Sequence, residues 1–303
     1  MSTLTTRELE EIERANASGK RPVMFVHGLW LLSTSWARWR HLFEESGFTT
    51  IAPGWPDDPE SVAEARIRPK AFAGKGIAQV TDHHAEAIAA LSLQPAVVGH
   101  SFGGMLAQRL AGMGLSAATV AVDPAPFRGV LPLPISALRA AFPVLGNPRN
   151  ASRAVALTYA EFRFAFANAV TEDEARQLHE TYAVPAPGKP LFQAATANLN
   201  PWTEAQVDTR NPRRGPLLIL SGERDNTVPW ALSNAAYGRQ RRNPGVTEIR
   251  EIPGRGHSLT IDSGWREVAG IALAFVRDHL PGSAGRAAAT GAPRSEAHGP
   301  AAP

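Results

Sequence analysis

Cysteine is absent from this sequence, which excludes disulfides, thiolate catalysis and cysteine-ligated zinc. Long apolar runs are absent too: none approaches the roughly 18 residues that a spanning helix needs. The first twenty residues, with Arg7-Glu8-Leu9-Glu10-Glu11-Ile12-Glu13-Arg14, carry too much charge for a signal peptide. Charge of one sign is nowhere concentrated. Lys and Arg number 31 against 28 Asp and Glu, for a net charge of +3, and the excess sits in scattered arginines such as Arg210, Arg213 and Arg214 or Arg239, Arg241 and Arg242. Without a long basic stripe or interleaved aromatics, a nucleic-acid partner is not expected. His83-His84 has no third ligand at a matching spacing, so no metal is expected and both are read as surface or helix-edge residues. A cytoplasmic protein with no membrane partner is the resulting expectation; composition leaves the oligomeric state open.

What is present suffices for a large core. The chain has 303 residues, 44% of them apolar, enough for one large α/β domain or two smaller ones. Residues 1–20 read as a tail or fraying helix. Short apolar runs at Pro22–Val26, Phe48–Ala52, Pro95–Val98, Ala118–Val122, Pro216–Leu220 and Val246–Ile252 read as strands. Helical patterns lie between them at 35–46, 77–93, 105–111 and 228–240, with a closing helix at 263–280. The alternation stops between 127 and 214, where a Pro-rich start, a helix-like middle (151–169, then 172–182) and a loop-rich end read as a mostly helical cap. The expected core is therefore 21–126 with 215–280. Residues 281–303, rich in Gly, Ala and Pro, lack apolar anchors and read as disordered.

One stretch organises the rest. Gly99-His100-Ser101-Phe102-Gly103-Gly104 stands between a strand and a helix, the context of a nucleophile elbow. Glycines at 99 and 103 permit the tight turn, which places Ser101 Oγ at a strand end above a helix N-terminus. A serine needs a base as it attacks. His257, on a Gly-flanked loop after a strand, is the candidate. Asp225, also after a strand, is the candidate carboxylate that orients it, and Asp123 is the competing acid. The chain order Ser, Asp, His fits this architecture. Backbone N–H groups of Phe102 and Leu29 are the candidate oxyanion donors. Trp30, Trp36, Trp55 and Phe162 are candidate pocket residues.

With these residues in place the sequence resembles the α/β-hydrolase superfamily. The resemblance rests on His27-Gly28-Leu29-Trp30, the Gly99–Gly104 elbow, Gly222-Glu223-Arg224-Asp225 with Val228-Pro229, and Gly256-His257-Ser258, over about residues 21–280. It implies a mostly parallel sheet flanked by helices, an inserted helical cap and hydrolysis without a cofactor. Only about 20 residues precede the Phe25 strand, too few for the family's usual first two strands. Six strands, all parallel, are therefore expected, with that edge missing or covered by the N-terminal helix. The implied activity is hydrolysis of a small apolar carboxylic ester through an acyl-enzyme on Ser101. Carbon–carbon bond hydrolysis, lactone hydrolysis and haloperoxidase-like perhydrolysis use the same residues, and a non-hydrolytic binder on this fold is the reading from another class. Arg163, between Phe162 and Phe164, is expected to face solvent; turned inward, it would instead hold a substrate carboxylate.

Overall fold

The computed structural model describes residues 4–280; the tail at 281–303 lies outside them. In chain order the elements begin α1 (Thr6–Ser18), β1 (Pro22–Val26), α2 (Ala37–Glu45), β2 (Thr49–Ile51), α3 (Val62–Ile67) and α4 (Ile77–Ala89). Next come β3 (Ala96–His100), α5 (Phe102–Gly112) and β4 (Ala118–Val122). The inserted segment holds α6 (Ile135–Leu145), β5 (Ala154–Val155), α7 (Tyr159–Ala165), α8 (Glu172–Tyr182), β6 (Ala186–Pro187) and α9 (Lys189–Ala195). The chain closes with β7 (Leu217–Gly222), α10 (Trp230–Gln240), β8 (Thr247–Ile252) and α11 (Trp265–His279). No helix among the described residues is long and apolar enough to cross a membrane.

Six strands form one sheet in the order β2-β1-β3-β4-β7-β8, every neighbouring pair parallel. Both faces are covered, so the central strands are apolar on both sides rather than alternating with polar residues. Val23 and Phe25 of β1 join Trp36, Trp39 and Phe43 and the α11 residues Val268, Ala272 and Val276 on one face. Met24 and Val26 point the other way, into a core with Val80, Met105, Leu106 and Leu232 from α4, α5 and α10. The chain leaves β1 towards β2 and returns to place β3 on its other side. That reversal between β1 and β3 is where a crevice forms at the carboxyl ends of the strands.

The N-terminal segment forms a helix capped at both ends. A capping box between Thr5 and Glu8 starts α1 and Gly19, at φ 61, ends it. Its acidic face turns inward. Glu11 accepts from Ala52 N at 2.9 Å and Glu8 from Gly54 N at 2.8 Å, satisfying N–H groups of the turn that follows the short edge strand β2. His83 and His84 are buried beside it, contrary to the surface placement expected from sequence. His83 Nε2 lies 3.2 Å from Glu8 Oε1, and His84 Nδ1–H donates to Val80 O at 2.8 Å. Burial pulls His84 down to about 4, so its ring is neutral. The reason for the difference is that α1 lies over this face of α4 and brings Glu8 to His83, while His84 finds its acceptor one turn back within α4.

The inserted segment also departs from expectation between 151 and 169. A 3₁₀ turn (Pro148–Ser152) and strand β5 precede a seven-residue α7 there, because Thr158 and Glu161 form a new capping box. β5 pairs antiparallel with β6. α8 spans 172–182 as expected.

Burial alone would raise the Glu8 carboxyl; His83 and the Thr5 and Gly54 N–H groups outweigh it and hold the group at about 2, against an ordinary 4.5. A depressed carboxyl stabilises the fold above its unfolded value and loses that contribution as pH falls through the folded one. Glu8→Gln is therefore expected to cost about 1–2 kcal/mol at pH 7. The difference from wild type in urea melts should narrow as pH is lowered from 4.5 towards 2.

Candidate active site

Ser101 sits between β3 and α5 at φ 57, ψ −122, a conformation that non-glycine residues adopt only under constraint. Its neighbours explain the glycines. A Cβ on Gly99 would run into the Gly103 carbonyl, and one on Gly103 into the Val26 carbonyl. Backbone thus meets backbone where β1, β3 and α5 converge.

His257 is completely buried on the loop after β8. Its Nε2 lies 3.0 Å from Ser101 Oγ and its Nδ1 2.6 Å from Asp225 Oδ2. Asp225 is fixed in turn, since its Oδ1 accepts from Thr227 N at 2.6 Å and Val228 N at 2.9 Å. The turn after β7 and the His257 loop lie close together: a Cβ on Gly222 would stand 2.7 Å from Arg255 O. The structure therefore brings Ser101, His257 and Asp225 into one hydrogen-bonded chain. The competing acid, Asp123, is also close, with Oδ2 4.0 Å from His257 Nδ1.

Other groups hold the imidazole and were not singled out from sequence. His100 Nε2–H donates to His257 O at 2.9 Å; burial, then the neighbouring His257, pushes the His100 ring well below its ordinary pKa, so it is neutral. Phe166 lies edge-on to His257 with ring centroids 4.8 Å apart, and Ser258 N donates to Phe166 O at 2.9 Å. The only sequence trace of Phe166 is its place in the alternating run Phe162, Phe164, Phe166. His100, Asp123 and His257 bring ligand atoms within 4.8 Å of one another. Both His257 ring nitrogens are already engaged, Nδ1 with Asp225 and Nε2 with Ser101 Oγ, so a cation there would have to displace one of these partners.

The loop after β1 faces the elbow. A Cβ on Gly28 would lie 2.8 Å from Ser101 Cβ and 2.9 Å from His100 O. His27 Nδ1–H donates to Gly28 O at 2.9 Å, and because the peptide is planar and trans, the Leu29 N–H points the opposite way. Leu29 N–H has no acceptor among the described residues. Phe102 N–H opens α5, where no earlier turn offers a partner. Behind this loop Asp58 joins Lys75 Nζ at 2.8 Å and lies 3.3 Å from His27 Nε2, out of line for a hydrogen bond. Burial would raise Asp58, but His27 and Lys75 prevail and keep it below the ordinary carboxylate range.

A cavity of about 150 Å³ opens beside Ser101. Its walls include Trp30, Phe127, Val130, Leu138, Leu191 and Val228; Ser101, Asn198 and Thr227 are the few polar side chains. Trp30, at φ 63, anchors its indole on Val155 O at 3.0 Å and also borders a second cavity of about 230 Å³ with Leu157, Phe162 and His179. Of the four expected pocket residues, then, only Trp30 lines the Ser101 cavity. Phe162 faces the second cavity and stacks on Phe166 at 5.0 Å. Trp36 packs on Phe25 at 5.1 Å in the core of the opposite sheet face. Trp55 borders a small recess and donates to His27 O at 3.3 Å. Helical spacing and position after a strand do not reveal which face an indole takes. Arg163 reaches neither cavity: it donates to Ala167 O and, at 3.1 Å, to Val170 O, and pairs with Glu172 at 3.3 Å.

A family model described as "Alpha/beta hydrolase family" matches residues 23–271. No curated protein matches the sequence. Among solved structures, the Paleococcus ferrophilus monoacylglycerol lipase is 20% identical, over 85% of this chain and 94% of that one, with a TM-score of 0.61. An extracellular alpha/beta-hydrolase from a Paenibacillus species is 17% identical, over 84% and 98%, with a TM-score of 0.58. A thioesterase domain from the curacin biosynthetic pathway is 15% identical, over 84% and 92%, at 0.54. At these identities the likeness concerns the fold.

The contact between Gly28 and the elbow generates a prediction that needs no substrate. Gly28→Ala must push the loop away from Ser101, so labelling of Ser101 by a fluorophosphonate should slow by about 10²-fold, the scale set by loss of an oxyanion donor. Labelling kinetics with near-ultraviolet circular dichroism check this.

Proposed function

Since this chain belongs to the α/β hydrolase family, we propose that it hydrolyses neutral carboxylic esters with medium-sized apolar groups through an acyl-enzyme on Ser101. The observation that carries the reading is His257, 3.0 Å from Ser101 Oγ on one side and 2.6 Å from Asp225 on the other. His257 takes the serine proton as Oγ attacks the ester carbonyl. Asp225 holds the ring with Nδ1 protonated and stabilises the cation that forms. The N–H groups of Leu29 and Phe102 receive the oxyanion. His257 then returns the proton to the leaving alcohol and activates water for deacylation. Family members that attack with a carboxylate need Asp or Glu at the elbow, and this chain has serine.

Residues 127–214 act in this reading as a cap on a core of 21–126 and 215–280. They supply Leu133, Leu138, Leu145 and Leu191 to the cavity wall, where polar anchors are few. Neutral apolar substrates follow from that chemistry. With Arg163 committed to cap carbonyls and Glu172, it offers no anchor for an anionic ester.

Ser101→Ala should abolish turnover by at least ~10³-fold and Asp225→Asn by up to ~10⁴-fold, with the fold retained. Residual activity above a tenth of wild type in Ser101→Ala would refute the nucleophile. A folded wild-type protein inert to fluorophosphonate would favour a binder instead. Across p-nitrophenyl esters from two to ten acyl carbons, kcat/KM should rise about fourfold per methylene, or about 0.8 kcal/mol, until the cavity is full. A series that is flat or falling from acetate, or a preference for an anionic ester, would refute the apolar cap.

A further inference from the structure

Asp123 is a buried carboxyl group that the proposed reaction does not use. It directly follows β4, is inaccessible to solvent, and has a backbone φ of 41. Among the described residues, four non-glycine positions have positive φ, and Trp30, Ser101 and Asp123 are three of them. All three follow neighbouring strands, β1, β3 and β4, at one crevice. Such conformations persist only where the surroundings over-determine them, and they cluster at functional sites.

The hydrogen-bond donors are unevenly shared between the two acids. Asp225 receives three, from Thr227 N, Val228 N and His257 Nδ1. Asp123 receives one, from Gly222 N on Oδ1 at 2.8 Å, and its Oδ2 receives none. The titratable groups around that oxygen are Asp225 from the turn after β7, His257 from the loop after β8, and His100 at the end of β3. His257 Nδ1–H is spent on Asp225. His100 carries its proton on Nε2, towards His257 O, and its Nδ1 is a bare acceptor. Two buried carboxylates side by side cannot both stay charged. Burial and the Asp225 charge accordingly push Asp123 well above the ordinary carboxylate range.

We propose that Asp123 and Asp225 form a carboxyl pair sharing one proton, in which Asp123 donates Oδ2–H to Asp225 and stands as the reserve partner for His257. Asp123 is thus a positioning residue that acts through Asp225. The inference rests on the reading of Ser101, His257 and Asp225 as the reacting set. In the intact protein the shared proton stays on the pair and moderates the negative charge that His257 meets. When Asp225 is removed, burial still favours the neutral acid, but the repulsion that adds to it is gone and the His257 Nδ1–H is left without an acceptor. Asp123 then releases its proton to solvent, and its Oδ2 closes the 4.0 Å that separates it from His257 Nδ1 to accept the ring N–H.

The test follows fluorophosphonate labelling of Ser101 against pH in wild type, Asp123→Asn, Asp123→Ala, Asp225→Ala, Asp225→Asn and the double variant Asp225→Ala/Asp123→Asn. Asp123→Asn should slow labelling less than tenfold at pH 7, because the amide N–H donates where the acid did, while Asp225→Asn loses ~10³–10⁴-fold. Asp123→Ala should move the acid limb upward by about half a pH unit or more, as Asp225 regains full charge. Asp225→Ala should label at least ~10-fold faster than the double variant. Infrared spectra of the unreacted protein should show a protonated carboxyl band at pH 7 that Asp123→Asn lacks. The proposal fails if Asp123→Asn is as damaging as Asp225→Asn, if the double variant matches Asp225→Ala, or if Asp123→Asn leaves the band in place. Should Asp123→Ala not fold, the asparagine variant and the band decide. Should wild type not label at Ser101, the hydrolase reading falls, and the band still decides the shared proton.

Discussion

The crevice of the candidate site depends on backbone approaching backbone without side chains between. Gly103 meets the Val26 and His27 carbonyls, Gly99 meets Gly103, and Gly28 meets Ser101 and the His100 carbonyl. These contacts lock the ends of β1 and β3 to the start of α5 at the point where strand order reverses. From them follows the strained φ of Ser101, while the bond from His27 to Gly28 O sets the direction of the Leu29 N–H. A methyl group at any of the three positions would separate elements that the proposed chemistry needs within hydrogen-bonding distance.

Around that lock the molecule uses buried charge sparingly and in pairs. At the β2 edge, Glu8 and Glu11 from α1 serve N–H groups of the turn after the strand, while Asp58 and Lys75 brace the loop that carries His27 and Gly28. On the other side, Asp123 and Asp225 surround His257. An unpaired charge in such surroundings is costly, so each of these groups has a partner or a reason to be neutral. Polar order below the loop and above the strands thereby fixes peptide and ring orientations that apolar packing alone leaves free.

The inserted segment both holds His257 and encloses the cavity. Phe166 packs on the imidazole, and Asn168 Nδ2 donates to Arg224 O at 2.7 Å next to Asp225. Trp30, pinned by Val155 of the same segment, divides two cavities of about 150 and 230 Å³. Enclosure and positioning therefore share the same contacts.

Strand–turn–helix order, the glycines at 99 and 103 and the chain order of Ser101, Asp225 and His257 were legible in the sequence, because each depends on local backbone preference or on topology. The six parallel strands were legible for the same reason: short apolar runs separated by helical patterns permit few other sheets. Which side of the sheet a tryptophan occupies was not. Trp36 and Trp55 carry the same apolar signal as Trp30, yet only the packing of α2 and of the 53–58 loop sends them elsewhere. His83 and His84 looked exposed because their acceptors lie on other parts of the chain or, for His84, one turn back within a helix covered by α1. Likewise the sequence places Asp123 and Asp225 at separate strand ends. Only the adjacency of β4 and β7 brings both beside one imidazole, and charge, unlike backbone propensity, is decided by such neighbours across space.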